Sequence, residues 1–208
     1  MYLFSRRQTM NQATLRRSMA MAVRASTMVT ELTGHEVHAW GAEFSPQVGE
    51  ITWSAWFEHL SDLGTVTDVL ASSEAYLELI ESSAGLWVGQ AADSLIQIIH
   101  ASLHPTETPM YASVVRADIE NGAMDNGLSL GVELAETVER VTGHPATFGA
   151  AATGSFNGVV WITGLPDLQA METMQAKLAV EPAWHSLIDR AGSAYRPGAT
   201  TTVYRRLT

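Results

Sequence analysis

The tetrapeptide Leu32-Thr33-Gly34-His35 returns 109 residues later as Val141-Thr142-Gly143-His144. The same shift lays Met1-Tyr2 on Met110-Tyr111, and we expect it to hold along the chain without an insertion or deletion. A constant offset of this kind is typical of two copies of one structural unit. We therefore predict a first repeat at residues 1–100, a linker at 101–109 and a second repeat at 110–208.

The spacing of apolar residues predicts the same order of elements in both repeats. In the first repeat we expect strands at 2–9, 35–44, 51–59 and 94–100, a long first helix, a helix at 61–71 and a short helix beginning near residue 73. In the second repeat we expect strands at 111–118, 145–153, 159–163 and 201–207, and helices in the same places between them.

The first helix of each repeat shows apolar residues three or four positions apart, which predicts one face turned to the core. In the first repeat this face comprises Leu15, Met19, Ala22, Val23, Val29 and Leu32. Gly34 and Gly143 follow the two helices, and glycine adopts the left-handed conformation that ends a helix more readily than other residues. We expect both helices to end there.

The order β-α-β-β-α-β predicts a ferredoxin-like α+β unit, in which both helices cover one face of an antiparallel sheet. The other face would expose apolar side chains if the unit stood alone. We therefore expect the two ferredoxin-like βαββαβ repeats to pack sheet to sheet as an intramolecular α+β barrel.

This arrangement resembles the dimeric α+β barrel superfamily, of the NIPSNAP-like and antibiotic-biosynthesis-monooxygenase-like kind. The resemblance extends over both repeats and includes the short helix with an aromatic residue after a small one, at Ala75-Tyr76 and Ala183-Trp184-His185. It implies the barrel fold, and among activities it suggests cofactor-independent oxygenation or cyclisation. It brings no diagnostic catalytic motif.

The composition excludes several classes of partner. A net charge of -10 disfavours nucleic acid and anionic membrane surfaces. Cysteine is absent, which excludes disulfides and thiolate chemistry and fits a reducing cytoplasm. Eleven arginines against a single lysine, Lys177, are typical of GC-rich bacteria. We expect a cytoplasmic bacterial protein.

Alternation along the hairpins divides their side chains into a helix-facing and a barrel-facing set. The barrel-facing set combines large aromatic rings with a few polar groups, as in pockets for flat, apolar small molecules. The predicted ligand-binding residues are Trp40, Thr52, Ser54, Trp56, Thr147, Trp161 and Thr163. Small Gly149 stands where the first repeat has Trp40, so we expect most of the polar and aromatic groups to come from the first repeat.

His38 is the candidate general base, because it is the histidine predicted in mid-strand and facing the barrel. Glu58 and His59 close the third strand, and they are weaker candidates for an acid-base group at a barrel mouth. A histidine held by neighbouring side chains, and a solvated strand end, are the structural alternatives for these residues.

No metal site is predicted. His35 and His38 stand three residues apart in a strand, which turns their side chains to opposite faces. No cofactor is expected, although some double ferredoxin-like proteins bind haem through a histidine of the second copy. In this chain the corresponding candidate is His185, which follows Trp184.

The sequence is compatible with two classes of function. In the first, the barrel binds a small apolar or aromatic molecule and His38 accepts a proton in a cofactor-independent monooxygenase or cyclase reaction. In the second, the barrel is filled by its own side chains and the protein is a non-enzymatic assembly module. The first helix is basic outside and its counterpart acidic, so a homo-oligomer through oppositely charged helix faces is a further possibility.

Overall fold

The structure is a computed structural model that describes residues 1–102 and 108–208. The β-strands are β1 (Tyr2–Met10), β2 (His38–Phe44), β3 (Glu50–Phe57), β4 (Trp87–Ala101), β5 (Tyr111–Asp118), β6 (Ala146–Ala151), β7 (Gly158–Leu165) and β8 (Thr200–Arg206). The α-helices are α1 (Leu15–Thr33), α2 (Leu60–Ser72), α3 (Glu74–Ser82), α4 (Met124–Thr142), α5 (Leu168–Ala179) and α6 (Pro182–Ala194), and a short 3₁₀ helix precedes α1 at Gln12–Thr14.

The predicted fold class, two ferredoxin-like βαββαβ sheets packed sheet to sheet, is wrong. The strands form one closed antiparallel barrel in the order β1-β3-β2-β8-β5-β7-β6-β4, with six α-helices in the described residues. The reason lies in the last strands, because Ile96–Ala101 at the end of β4 pairs with β6 and so continues the sheet of the second half of the chain. Separate sheets stacked face to face are therefore not formed.

By their internal contacts, the residues form two compact units. The first consists of Met1–Leu95 with Arg205–Thr208, and the second of Ile96–Tyr204. This division differs in kind from the sequence repeats, since each unit also takes in a piece of chain from beyond a repeat boundary. The predicted repeats and their linker stay a prediction, and residues 103–107 of that linker lie outside the described residues.

In the first unit, β3 pairs with β1 on one side and β2 on the other. The predicted apolar stripe of α1 is wrong for Leu15, Met19 and Leu32, which are exposed, and confirmed for Ala22, which is fully buried. The buried positions are instead small residues, Ser18, Ala22 and Ser26. Small side chains let the helix lie close to the sheet, where the indole N–H of Trp53 donates to the carbonyl oxygen of Ala22 at 2.9 Å.

The second unit repeats this packing with α4 on the sheet of β5, β7 and β6. Gly127, Gly131 and Ala135 of α4 are buried. The core beneath contains Phe148, Val159 and Leu165 with Ile119, Ala146 and Met174. The two long helices end where the sequence predicts, since Gly34 and Gly143 are left-handed, with φ of 72° and 78°. This prediction is confirmed.

The expected absence of any insertion or deletion is wrong by one residue, in the second hairpin. In the first unit Met10 N–H donates to the carbonyl oxygen of Gly49, whereas in the second Ile119 N–H donates to that of Asn157. The turn before β7 is therefore one residue shorter than the turn before β3. A shift of one residue turns every side chain of a strand to the other face of the sheet.

Candidate functional site

Polar and aromatic side chains share the face of β1, β3 and β2 that is turned away from α1. We call it the polar face, and it comprises Ser5, Arg7, His38, Trp40, Glu50, Thr52, Ser54 and Trp56. The strand register arranges most of them in two rows. One row runs Ser5, Ser54, His38 and the next runs Arg7, Thr52, Trp40, each from β1 through β3 to β2.

His38 lies at the start of β2 and is 9% exposed. Its Nε2 atom is 3.5 Å from a carboxylate oxygen of Glu36, and its ring meets that of Trp40 edge-on with 6.2 Å between centroids. Burial lowers the pKa of His38, with the Glu36 carboxylate opposing this shift and the Arg206 guanidinium adding to it. The lowered pKa favours the neutral imidazole, which is the form that accepts a proton.

The two tryptophans of the polar face differ in how they are held. Trp40 is 8% exposed and donates its indole N–H to the Ser54 hydroxyl at 2.9 Å. This hydrogen bond links the two rows. Trp56 is half-buried and lies opposite Leu3 of β1. Both rings add apolar area to the face beside its polar groups.

Arg7 and Thr52 each contain a buried polar atom whose hydrogen bonding is incomplete. Within the described part of the chain, Arg7 Nε and Thr52 Oγ1 are buried without a hydrogen-bond partner. An Arg7 Nη atom is 4.0 Å from a Glu50 carboxylate oxygen, too long for a hydrogen bond. A buried polar group left without a partner costs about 1–3 kcal/mol, so a ligand, an ion or a water molecule that bonds to these two groups would stabilise this face.

The sequence interpretation missed Arg7 and Glu50. Because side chains alternate along a strand, Glu50 lies on the same face as Thr52 and Ser54. The pairing of β1 with β3 places Arg7 on this face as well, next to Glu50. The sequence therefore contained a signal for this part of the face, namely a charged residue on each of two neighbouring strands, Arg7 and Glu50.

Comparison with known proteins gives a fold and no family. No protein-family model matches the chain, and no curated protein is similar to it. Among solved structures, a putative monooxygenase from Fusobacterium nucleatum has a TM-score of 0.74 at 9% identity, over 100% of this chain and 92% of that one. A second from Lactobacillus acidophilus has a TM-score of 0.70 at 10% identity, over 100% and 94%.

An anthrone oxidase-like protein has a TM-score of 0.68 at 12% identity, over 100% of this chain and 91% of the other. The chain shares the fold of these proteins. The monooxygenase-like part of the predicted resemblance is thus confirmed at the level of fold, while identities this low say nothing of activity. The NIPSNAP-like part stays a prediction.

The predicted ligand-binding residues divide into those that the structure brings together and those that it does not. Trp40, Thr52, Ser54 and Trp56 share the polar face with His38, as expected, and their role in binding stays a prediction. Thr147 belongs to the second unit, where it is fully buried with its hydroxyl unpartnered among the described residues.

The predicted barrel-facing positions of Trp161 and Thr163 are wrong. The indole N–H of Trp161 donates to the carbonyl oxygen of Gly131 in α4 at 2.9 Å, and its ring packs on Phe148 and Tyr195. Thr163 lies two residues further along β7, on the same helix-facing side. The shorter turn before β7 causes both errors.

Glu58 and His59 lie apart from the polar face, since both are exposed after the end of β3. The backbone N–H of His59 donates to the Asp62 carboxylate at 3.1 Å, which caps the start of α2. This is the solvated strand end that was the structural alternative. Their catalytic role stays an untested prediction.

His185 is exposed on α6. A haem ligand needs an enclosed, hydrogen-bonded setting, so these surroundings do not fit one. Among the residues that the structure describes, no three His, Asp or Glu side chains are grouped as a metal site. Within the same ranges, no helix has the length and apolar character needed to cross a membrane.

Proposed function

We propose that the polar face binds a small molecule with a flat apolar body, and that the protein is a cofactor-independent monooxygenase or cyclase with His38 as proton acceptor. The observation that supports this most is the placement of the buried His38 imidazole, whose pKa burial lowers, in the row beside Trp40 and the unpartnered Thr52 hydroxyl of the described residues. It joins a base, an aromatic platform and an incomplete hydrogen-bonding group on one surface.

The fold shared with the anthrone oxidase-like protein suggests a probe reaction, the oxidation of anthrone by dioxygen. His38 takes a proton from the methylene carbon, and the resulting carbanion passes its electrons to dioxygen. A carbon–oxygen bond forms, and loss of water gives anthraquinone, so that anthrone and dioxygen become anthraquinone and water. The protein contributes orientation, exclusion of water and the base.

The catalytic proposal is tested by oxygen uptake with anthrone in the absence of added metal or cofactor. We expect turnover above the buffer rate, reduced about 100-fold or more in His38→Gln because general bases contribute roughly 10²–10⁴-fold. His35→Gln is the control and keeps turnover. Wild-type protein that does not exceed the buffer rate, or a His38→Gln variant that folds and retains full turnover, contradicts this role.

Ligand binding is tested separately by tryptophan fluorescence with a panel of aromatic compounds that includes anthrone. We expect a saturable change that is strongly reduced in Trp40→Phe. It should persist in Trp53→Phe, because Trp53 points to α1. No saturable change with any compound, or a change lost only in Trp53→Phe, overturns binding at the polar face.

A second candidate function is assembly with further copies of the chain. Helix α1 exposes Leu15 and Met19 beside Arg16, Arg17 and Arg24, with no acidic residue in its first turn. Helix α4 exposes Asp125 and Glu136. An apolar, basic helix face fits an acidic face on another copy. Sedimentation tests this, since Met19→Glu should dissociate an assembly, and a monomer at high concentration would exclude it.

We also propose that the chain arose by tandem duplication. Trp53 and Trp161 each donate an indole N–H to a helix backbone, at Ala22 and Gly131, and the helices concerned end in left-handed glycines. Two independent folds would have no reason to repeat these details. We further propose a bacterial cytoplasmic location, which the excess of arginine over lysine and the absence of cysteine support.

A further inference from the structure

We infer that the ligand of the polar face carries an anionic oxygen group, such as a carboxylate, which Arg7 and Thr52 bind. This inference rests on the proposed binding function and adds the chemical class of the ligand. It assigns a binding role to Arg7.

The geometry of the two unsatisfied groups is the first argument. Arg7 on β1 and Thr52 on β3 lie directly opposite each other in the register, so their side chains leave the same face side by side. Thr52 is 6% exposed, and within the described ranges neither its hydroxyl nor Arg7 Nε has a hydrogen-bond partner. Both groups donate hydrogen bonds, and a carboxylate accepts them through two oxygens.

The position of the Arg7 charge also favours an anionic group. Arg7 is 4.0 Å from Glu50, a distance that leaves its guanidinium without a direct hydrogen bond to that carboxylate. Arg7 can therefore bind a carboxylate of the ligand without giving up a hydrogen bond to Glu50.

The second unit has an arginine at the position of Arg7 but no counterpart of Thr52. Arg116 of β5 lies opposite Val160 of β7, where Arg7 lies opposite Thr52. Val160 has no hydroxyl, and the residue two positions before it is Gly158 in place of a glutamate. The second unit thus contains an arginine at this place without its polar neighbours, and the anion site is built once, in the first unit.

The ligand class is tested by calorimetric titration with two probes of the same shape, 2-naphthoate and 2-naphthalenemethanol. We expect the wild-type protein to bind 2-naphthoate about tenfold or more tightly, which corresponds to about 1.4 kcal/mol. Arg7→Gln and Thr52→Val should reduce this preference severalfold each and leave the affinity for the alcohol nearly unchanged.

Arg6→Gln is the matched control, because Arg6 is the next residue on β1 and points to the opposite face, where Asp93 holds it. It should retain the preference for naphthoate. Thr52→Val preserves side-chain shape and guards against misfolding of the Arg7 variant. Equal affinity for the two probes in the wild type, or a preference that survives in both folded variants, overturns the inference while binding at the polar face stands. If neither probe binds, the proposed binding function fails together with it.

Discussion

The indole N–H of Trp161 donates to the carbonyl oxygen of Gly131 at 2.9 Å, so the side chain of a strand binds the backbone of the helix above it. This contact requires α4 to lie very close to the sheet. Gly131 has no side chain, and an added Cβ there would collide with the ring of Phe148. Trp53 and Ala22 repeat the relationship in the first unit, where the helix residue has only a methyl group.

Gly131→Ala should therefore destabilise the protein by about 1–3 kcal/mol, because the added methyl overpacks a core that cannot expand freely. The control is Gly192→Ala in α6, where an added Cβ meets no atom within 4 Å. That change should be neutral or stabilise by about 0.5–1 kcal/mol, since alanine favours helix. Urea denaturation measures both, and a Gly131→Ala variant as stable as the wild type would contradict the close helix packing.

The buried threonines give a second prediction. Thr52 and Thr147 have hydroxyl groups without partners among the described residues, whereas the Thr142 hydroxyl donates to the Val138 carbonyl at 2.7 Å and accepts from His144 N–H. Replacing an unsatisfied hydroxyl by a methyl of the same shape removes a cost.

Thr52→Val and Thr147→Val should thus be neutral or raise the free energy of unfolding by up to about 1 kcal/mol. Thr142→Val should lower it by about 1 kcal/mol, because two hydrogen bonds are lost. Denaturant titration of the ligand-free protein compares the three. A large loss in Thr52→Val would show that its hydroxyl already has a partner in solution.

Arg6 gives a third prediction, on β1 beside Arg7. Its guanidinium forms a two-pronged ion pair with Asp93 at 2.7 and 2.8 Å, and the hydrogen bond to Asp93 raises the pKa of Arg6. Both side chains are more than 40% exposed, so solvent screens the pair. Arg6→Gln should cost less than about 1 kcal/mol, and the loss should shrink in 1 M NaCl. A loss of stability that is the same at low and high salt would show that the Arg6–Asp93 ion pair is not its cause.

The sequence predicted the helices and strands, and it predicted the polar-face residues of β2 and β3. Both follow from local patterns of side chains. Alternation alone placed His38, Trp40, Thr52 and Ser54 on one side, and the register confirms that placement. It failed for Trp161 and Thr163, because the repeat offset hid a turn that is one residue shorter. Gly49 and Gly158 align in sequence, but Gly49 has φ of 82°, and the left-handed glycine in the second turn is Gly154.

Helix α1 and the barrel show what local patterns leave undetermined. The apolar spacing of Leu15 and Met19 is as regular as that of a core stripe, yet the buried residues are the small Ser18, Ala22 and Ser26. Close packing of the helix, as between Ala22 and Trp53, selects small side chains over large apolar ones. The pairing of β4 with β6 is a contact between distant parts of the chain, and the composition of neither strand specifies its partner.

The pH dependence of stability should show the state of His38. Burial lowers its pKa below the ordinary value of 6.5, so at weakly acidic pH the unfolded chain binds a proton that the folded protein does not. The free energy of unfolding should therefore fall as the pH drops from 6.5 towards the lowered pKa, and this contribution should level off below it. Glu36 opposes the shift and Arg206 supports it, while Trp40 and Ser54 beside the ring carry no charge.

His38→Gln should remove this part of the acid dependence, and urea denaturation at a series of pH values between 5 and 8 measures the difference. Glu36→Gln should deepen it, because the carboxylate that favours the protonated imidazole is gone. His35→Gln is the control for general loss of a histidine, since His35 lies after α1 and packs on Phe57, away from His38. If wild type and His38→Gln lose stability in parallel over this range, the imidazole is not held in its neutral form, and a base other than His38 has to be sought on the polar face.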